Sequence, residues 1–354
     1  MKMIQLDDIF IRPIQASDYE TVLLMARFAQ EGMTNLPKNS QDLKEKITYA
    51  ITSFQKPTID DAQYLFVMEH IPTKEVIGIS GIIAQIGSKH PLFHFNLNLY
   101  KPTDSKEVYF DTLHLDSYFK GPTEICTLYV RPEFRGSGIG RMLSLHRFLF
   151  MTPHQSLFDT RIIAEMRGVS NKQGFSPFYA YVWEKRFGIT FPEADTFCAK
   201  HPSKITEFAP RYPIEIHFLS DWAQDVIGKP HKNTEAAHAL LLKQGFVFNN
   251  KVCMLDAGPI LECELSQIEL VKESRVARID SFLKTPISQH KKEEIVMLSN
   301  GDISNYKACL AIFDGHSVSL PEHLQGVGFS INDHVMIAPL FSQNEPKGKI
   351  SYVP

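Results

Sequence analysis

The chain has 354 residues, 44% hydrophobic and 22% charged, with a formal net charge of -3, so it exceeds one ordinary domain and holds ample material for a core. The charge balance offers no basic face for nucleic acid, no apolar run reaches the length of a membrane span, and the N-terminus lacks a signal peptide. Cys126, Cys198, Cys253, Cys263 and Cys309 are odd in number and lack paired metal-ligand spacing, so buried thiols in a reduced, cytoplasmic, soluble protein without a metal are expected.

Residues 10–14 predict a short first strand, Ser17-Asp18 an N-cap, and the apolar spacing from Tyr19 to Ala26 a helix. Residues 32–37 form a loop carrying apolar side chains, which suits either packing back on the core or a substrate-facing lid. A second helix is expected over 40–54, and 64–69 with 76–83 predict a hairpin turned at Pro72-Thr73-Lys74. Further strands are expected at 92–98 and 106–115.

Residues 124–141 read Glu-Ile-Cys-Thr-Leu-Tyr-Val-Arg-Pro-Glu-Phe-Arg-Gly-Ser-Gly-Ile-Gly-Arg: a buried strand, a basic glycine loop, and a helix opening at Arg141. Gly136, Gly138 and Gly140 allow positive φ and a close backbone approach to a bound group. Their N–H groups, followed by a helix N-terminus, suit a phosphate or pyrophosphate, with Arg135 and Arg141 as charged donors at either end. A dinucleotide fold uses such glycines too, but it needs an acidic residue closing the next strand; here Asp159 precedes that strand. The strand, loop and apolar helix resemble the acyl-CoA-binding core of the GCN5-related N-acyltransferases. Strand, helix pair, hairpin and glycine-loop strand also follow that fold's element order.

Past this core come a strand at 162–168, an aromatic helix at 181–187 and a strand at 214–218. Residues 233–246 resemble the last helix of the same fold, with Thr234 in the usual Asn place and Leu241 in the usual Tyr place. In many relatives that tyrosine protonates the departing thiolate. Leucine cannot, so the proton must come from elsewhere. Residues 272–292 are charged with helical spacing at Val276, Ile279 and Phe282; strands are expected at 306–313 and 335–340, and a frayed end at 344–349. The fold class is α/β (α+β): an acyltransferase-like mixed sheet with a large insertion over 1–264, and a small C-terminal β-rich domain over 265–354.

Several strings in order resemble the arginine N-succinyltransferase family: Glu-Ile-Cys-Thr-Leu-Tyr-Val, Ala-Glu-Met-Arg-Gly at 164–168, Gln224-Asp225-Val226-Ile227-Gly228-x-x-His231, and residues 256–264. The resemblance implies succinyl transfer from succinyl-CoA, a co-substrate, to the α-amino group of arginine, with no permanently bound cofactor. It places the acyl-CoA contact on Leu128 and the proton donor on His231. Two departures bear on the substrate. Phe93-His94-Phe95-Asn96 stands where the family has Tyr-Asn-Tyr-Arg, losing an arginine, and the glycine loop follows the general acyltransferase form. Ornithine or another amine, another acyl-CoA, and a non-catalytic acyl-CoA-binding subunit stay open as alternatives, as do homo- and hetero-oligomers.

Read without the resemblance, His231 is a surface-loop histidine before a helix capped by Asn233 or Thr234. Lys229, Lys232 and the helix N-terminus favour its neutral ring, which can accept an amine proton and return it to sulfur. Arginine recognition wants carboxylates for the guanidinium and a cation for the carboxylate. Glu165 and Arg167 alternate along one strand, and so do Glu262 and Glu264; these serve equally as substrate groups or as ion pairs between strands.

Overall fold

The computed structural model describes residues 5–29, 35–100, 109–136 and 138–341. Residues 32–34 of the loop expected at 32–37, the start of the strand expected at 106–115 and the terminal stretch 344–349 lie outside the described residues. The strands in chain order are β1 (Ile9–Pro13), β2 (Gln63–His70), β3 (Glu75–Ile83), β4 (Leu92–Tyr100) and β5 (Tyr109–Tyr118). They continue with β6 (Thr123–Val130), β7 (Arg161–Glu165), β8 (Ile214–Glu215), β9 (Val247–Cys253) and β10 (Pro259–Glu264). The last five are β11 (Arg275–Leu283), β12 (Ile295–Ser299), β13 (Ala308–Phe313), β14 (Val318–Pro321) and β15 (His334–Pro339). All join one mixed sheet in the order β12-β15-β11-β14-β13-β1-β2-β3-β6-β7-β10-β9-β4-β5-β8.

Helices α1 (Tyr19–Phe28) and α2 (Ser40–Gln55) cover one face of the central strands. Val22, Met25, Leu43 and Ile47 pack there on Leu65, Val67, Ile79 and Tyr129. The alternate residues Phe66, Met68, Ile82 and Ile125 turn to the other face, against helix α3 (Ile139–Met151). Every residue of α3 from Met142 to Met151 is buried, because the helix lies between the sheet and the C-terminal strands. Its polar members find partners inside. His146 shares a 2.8 Å hydrogen bond with Ser80, and the Tyr306 hydroxyl donates to the His146 carbonyl at 3.2 Å.

The C-terminal strands close on themselves: β12 pairs with both β15 and β13, so β12-β15-β11-β14-β13 form a small barrel. Its inside is filled by Ile279, Leu298, Cys309, Val318, Leu320 and Ile337. It joins the main sheet through Ile11 opposite Ala308. The helical spacing seen in 272–292 is overridden here. Residues Arg275–Leu283 are strand β11, held by β14 on one side and β15 on the other, while Val276 points to solvent. Pairing on both edges outweighs a weak local period.

The insertion between β7 and β9 has its own core, in which Phe178, Trp183, Phe191 and Ala194 meet Phe95, Leu97 and Leu113 of the sheet. Its aromatic helix differs from expectation: it starts at Pro177, where the Ser176 side chain caps Tyr179 N–H, and breaks at Trp183 before a turn of helix at Glu184–Phe187. The strand expected at 214–218 shrinks to Ile214–Glu215, an edge pair to β5, before a 3-10 turn buries Ile216.

Trp183 is fully buried, and its indole N–H donates to the Met254 carbonyl at 2.7 Å, tying the insertion to the β9–β10 turn. Trp183→Phe keeps most of the packing and orphans that carbonyl, so a loss of about 1–3 kcal/mol in urea unfolding is expected. An unchanged midpoint and slope would show that this bond holds nothing.

Candidate active site

The site is organised by a defect in the sheet. Strand β6 pairs with β3 antiparallel, but Ser80 of β3 faces two residues, Thr127 and Leu128, because the register shifts between the pairs Ile79–Tyr129 and Gly81–Cys126. This is a β-bulge, and Thr127 adopts φ +53°, a left-handed conformation that a β-branched residue rarely takes. On its other edge β6 pairs parallel to β7 only at Thr123–Ile162 and Glu124–Ile163. Beyond that point the two strands part. The wedge between them opens next to the bulge, on the strand that leads into the glycine loop.

At the loop end, Gly136 and Gly138 have φ of +109° and +90°, and Gly138 is the N-cap of α3. Gly140 departs from the expectation of positive φ at all three glycines: it is already helical, and a Cβ there would meet nothing within 4 Å. Its value is an unobstructed helix mouth. The two loop arginines are turned aside. Arg135 donates from Nε to the Val130 carbonyl at 3.0 Å and lies over Tyr129. Arg141 reaches the barrel, 3.5 Å from the Leu340 carbonyl and over the Phe341 ring. Leu128 is half-buried, packed toward α3 from the bulge.

The other wall of the wedge is β7 and its continuation. Glu165 ends the strand, and Arg167 follows two residues later. The segment before the helix Glu235–Lys243 runs alongside: Gly168 and Pro230 form an antiparallel bridge, and His231 N–H donates to the Arg167 carbonyl at 2.8 Å. Asp256 fixes this corner, accepting from Gly168 N–H at 2.7 Å and Gly258 N–H at 2.9 Å. The glycines are required, since a Cβ at Gly258 would fall 2.0 Å from the Met166 carbonyl.

His231 caps the turn that follows it. Its Nδ1 accepts from Asn233 N–H at 3.0 Å, so the neutral ring carries its proton on Nε2. The cap expected from Asn233 or Thr234 is thus supplied by the histidine itself. Burial, and then the Arg167 charge, hold its pKa below the ordinary histidine value. Arg167 also donates to Ser170 Oγ at 2.7 Å. Glu262 lies apart from this group, bound to Asn249 and to Lys251 at 3.3 Å. Lys251 stands directly across from Asn96, supplying a cation on the face where the family's arginine is missing.

Two residues near the wedge escape a reading by motif. Arg147 of α3 is 2% exposed and donates from Nη1 to the Cys126 carbonyl at 3.2 Å, beside the bulge; its other contacts are to Ser144. Glu124 is 5% exposed, and Asn35 donates to it at 3.3 Å. A charged residue opening an apolar strand was the only available signal for it. The cavity of about 460 Å³ beside Arg12, Glu69 and Lys307 lies away from these groups.

A family described as arginine N-succinyltransferase beta subunit matches residues 9–270 of this sequence. The chain belongs to the arginine N-succinyltransferase family. It is 36% identical over 274 residues to an arginine N-succinyltransferase of Escherichia coli O17:K52:H18, covering 76% of this chain and 80% of that one. A Shigella flexneri arginine N-succinyltransferase is 35% identical over the same coverage. Subunit AI of an arginine/ornithine succinyltransferase from Pseudomonas aeruginosa superposes with a TM-score of 0.82 at 25% identity, over 95% of this chain and all of that one. That superposition includes the barrel, which the family match up to residue 270 leaves out. Among the described residues no helix is long and apolar enough to cross a membrane.

For this family member, Gly138→Val is expected to abolish coenzyme A binding in calorimetry while cooperative melting persists. Valine at φ +90° distorts the loop, although only Leu6 lies near its Cβ. Unchanged coenzyme A affinity would remove the loop from the site.

Proposed function

We propose that this protein transfers the succinyl group of succinyl-CoA to the α-amino group of L-arginine. The observation that carries the reading is the wedge itself: a bulged strand running into a helix-mouth glycine loop on one side, and His231 held on the β7 extension on the other. The loop around Gly136, Gly138 and Gly140, with Arg135 and Arg141 at its two ends, would receive the pyrophosphate. The pantetheine arm would lie along the unpaired part of β6, with Leu128 against it and the thioester at the bulge.

The amine nitrogen attacks the thioester carbon, the C–S bond breaks, and one proton must move from nitrogen to sulfur. A neutral His231 can accept that proton and return it. Glu165 and Arg167, adjacent on the same wall, suit the cationic group and the carboxylate of the amino acid. Glu262 contributes through the Lys251 pair that it orients. The Pseudomonas relative is named for both arginine and ornithine, so the amine is settled by assay.

Thiol release measured across amines is expected to give arginine a larger kcat/KM than ornithine, since an unfilled guanidinium site costs on the order of 1–3 kcal/mol per orphaned group. Equal specificity constants would move the assignment to a broader amine acceptor. His231→Ala should lower kcat roughly 10²–10⁴-fold with little change in coenzyme A affinity. Because the ring's pKa is depressed, the acid limb of wild-type kcat should lie below pH 6.5, where protonation stops the ring from accepting a proton. A variant that keeps its turnover with chemistry rate-limiting would make this histidine only a cap.

A further inference from the structure

Glu124 has no role in the reaction as assigned, yet it sits at the mouth of the wedge. It is the register partner of Ile163, so Glu165, two residues further along β7, projects from the same face just where the strands part. Two carboxylates therefore face one opening. Lys46 approaches Glu124 from α2 but donates its Nζ to Gln63 at 2.9 Å, and Asn35 and the Cys126 thiol complete that side. After burial, Glu165 is acted on by repulsion from Glu124, Asp256 of the β9–β10 turn and Asp195 of the insertion, opposed by a hydrogen bond with the Cys253 thiol of β9.

A second feature lies on the same face of the curled sheet. Tyr118 of β5 is 6% exposed, and its hydroxyl has no hydrogen-bond partner among the described residues. The ring is stacked 4.3 Å from His94, packs with Ile163 and Ile260, carries the Arg161 and Lys251 cations 5.9 and 5.4 Å from its centre, and lies within electrostatic reach of Glu262, Glu165 and Asp116. A buried hydroxyl without a partner is costly, and its lone pairs are open to an N–H donor.

We propose that Glu124 and Glu165, backed by the Tyr118 hydroxyl, seat the cationic side-chain group of the substrate, and that the seat gives up a proton when the cation enters. The identity of the cation as a guanidinium rests on the arginine reading above. A guanidinium presents five N–H donors and no acceptor, which matches two carboxylates and a phenol oxygen.

The empty seat is electrostatically frustrated. Burial pushes Glu124 up to about 7, and burial followed by repulsion from Glu124 pushes Glu165 up to about 8. Protein atoms crowd Glu165 although part of its surface stays open. Near neutral pH the pair holds on the order of one proton, because burial disfavours the charged form of both carboxylates and the Glu124 charge disfavours it further at Glu165. A bound cation lowers both values and sends that proton to solvent. Affinity for the cation therefore rises as pH rises through the range in which the pair titrates.

The test is calorimetric titration of the full chain with L-arginine, at saturating coenzyme A and neutral pH, in buffers of different ionisation enthalpy. The expected result is release of on the order of one proton per arginine bound. Glu165→Gln should cut the release to the fraction that Glu124 alone supplies and weaken arginine by about 10- to 100-fold, with coenzyme A affinity and melting unchanged. Glu124→Gln should also reduce the release, since it removes one titrating carboxyl and the repulsion that Glu165 feels from it. Arginine bound with no proton released, or bound by Glu165→Gln at wild-type affinity, overturns the seat and leaves the arginine assignment standing. If the wild type binds coenzyme A but not arginine, the arginine assignment falls. Ornithine titrated in the same buffers then decides the seat, and binding without proton release overturns it too.

Discussion

A sheet that admits a ligand between two central strands must leave their facing backbone groups without each other. A buried N–H or carbonyl without a partner costs on the order of 1–3 kcal/mol, so the parting of β6 and β7 has to be met from elsewhere. Side chains and an external segment meet it here. Arg147 reaches from α3 to the Cys126 carbonyl, and Arg135 folds back to the Val130 carbonyl, one on each side of the bulge. On β7 the Asp256 carboxylate takes the Gly168 N–H, and the Pro230–His231 segment takes the Arg167 carbonyl. The open wedge is thus a supported gap, and two of its supports belong to residues placed in the chemistry.

The same constraint explains why so much protein is stacked behind α3. The helix carries the glycine loop on its N-terminus and the Arg147 support on its third turn, so its position sets both ends of the proposed acyl-CoA path. Tyr306 of the barrel is fully buried, packs its ring 4.9 Å from Phe150 and donates to the helix backbone at His146. Arg141 meets the barrel at Leu340 and Phe341. A helix embedded on all sides cannot shift without creating cavities, which fixes the loop to within the tolerance that phosphate recognition needs. The barrel contributes to the site by holding this helix, without contributing a group to the wedge among the residues described.

How much of this was legible in the sequence depends on the range of the interaction. The central strands, the hairpin, α1, α2 and the glycine loop were readable because apolar periodicity and glycine placement are local. Gly136 and Gly138 carry the positive φ that such a loop needs; Gly140 does not, since one residue decides where the helix begins. Strand β11 was hidden because its stability lies in two neighbours more than thirty residues away, not in its own pattern. The bulge at Thr127–Leu128 left no mark at all: threonine is an ordinary strand residue, and its left-handed backbone follows from a register mismatch with β3. Arg147 looked like one more polar residue on a helix, and only the burial of all its neighbours reveals that it faces a strand carbonyl. For the wall residues the family motif supplied names, while the pairing of Glu124 with Glu165 needed the parallel register.

The replacement of tyrosine by Leu241 acquires a physical sense from this arrangement. Leu241 is 3% exposed, set in the core between its helix and the sheet, where a phenol would need a partner or a path to the wedge. Placing the proposed proton-handling group on the loop before that helix changes what holds it. A tyrosine on a helix is positioned by side-chain packing alone. His231 is positioned by its own backbone bond to β7 and by its Nδ1 cap on Asn233, which together fix both ring and tautomer. The cost is that the ring is partly buried beside Arg167, and the gain is that burial, and then this charge, favour its neutral form, which can accept a proton. In the proposed reaction, the wall that recognises the amino acid also carries the base that activates it. Proton acceptor and substrate are then aligned by one strand end, and the coenzyme side is left to bind.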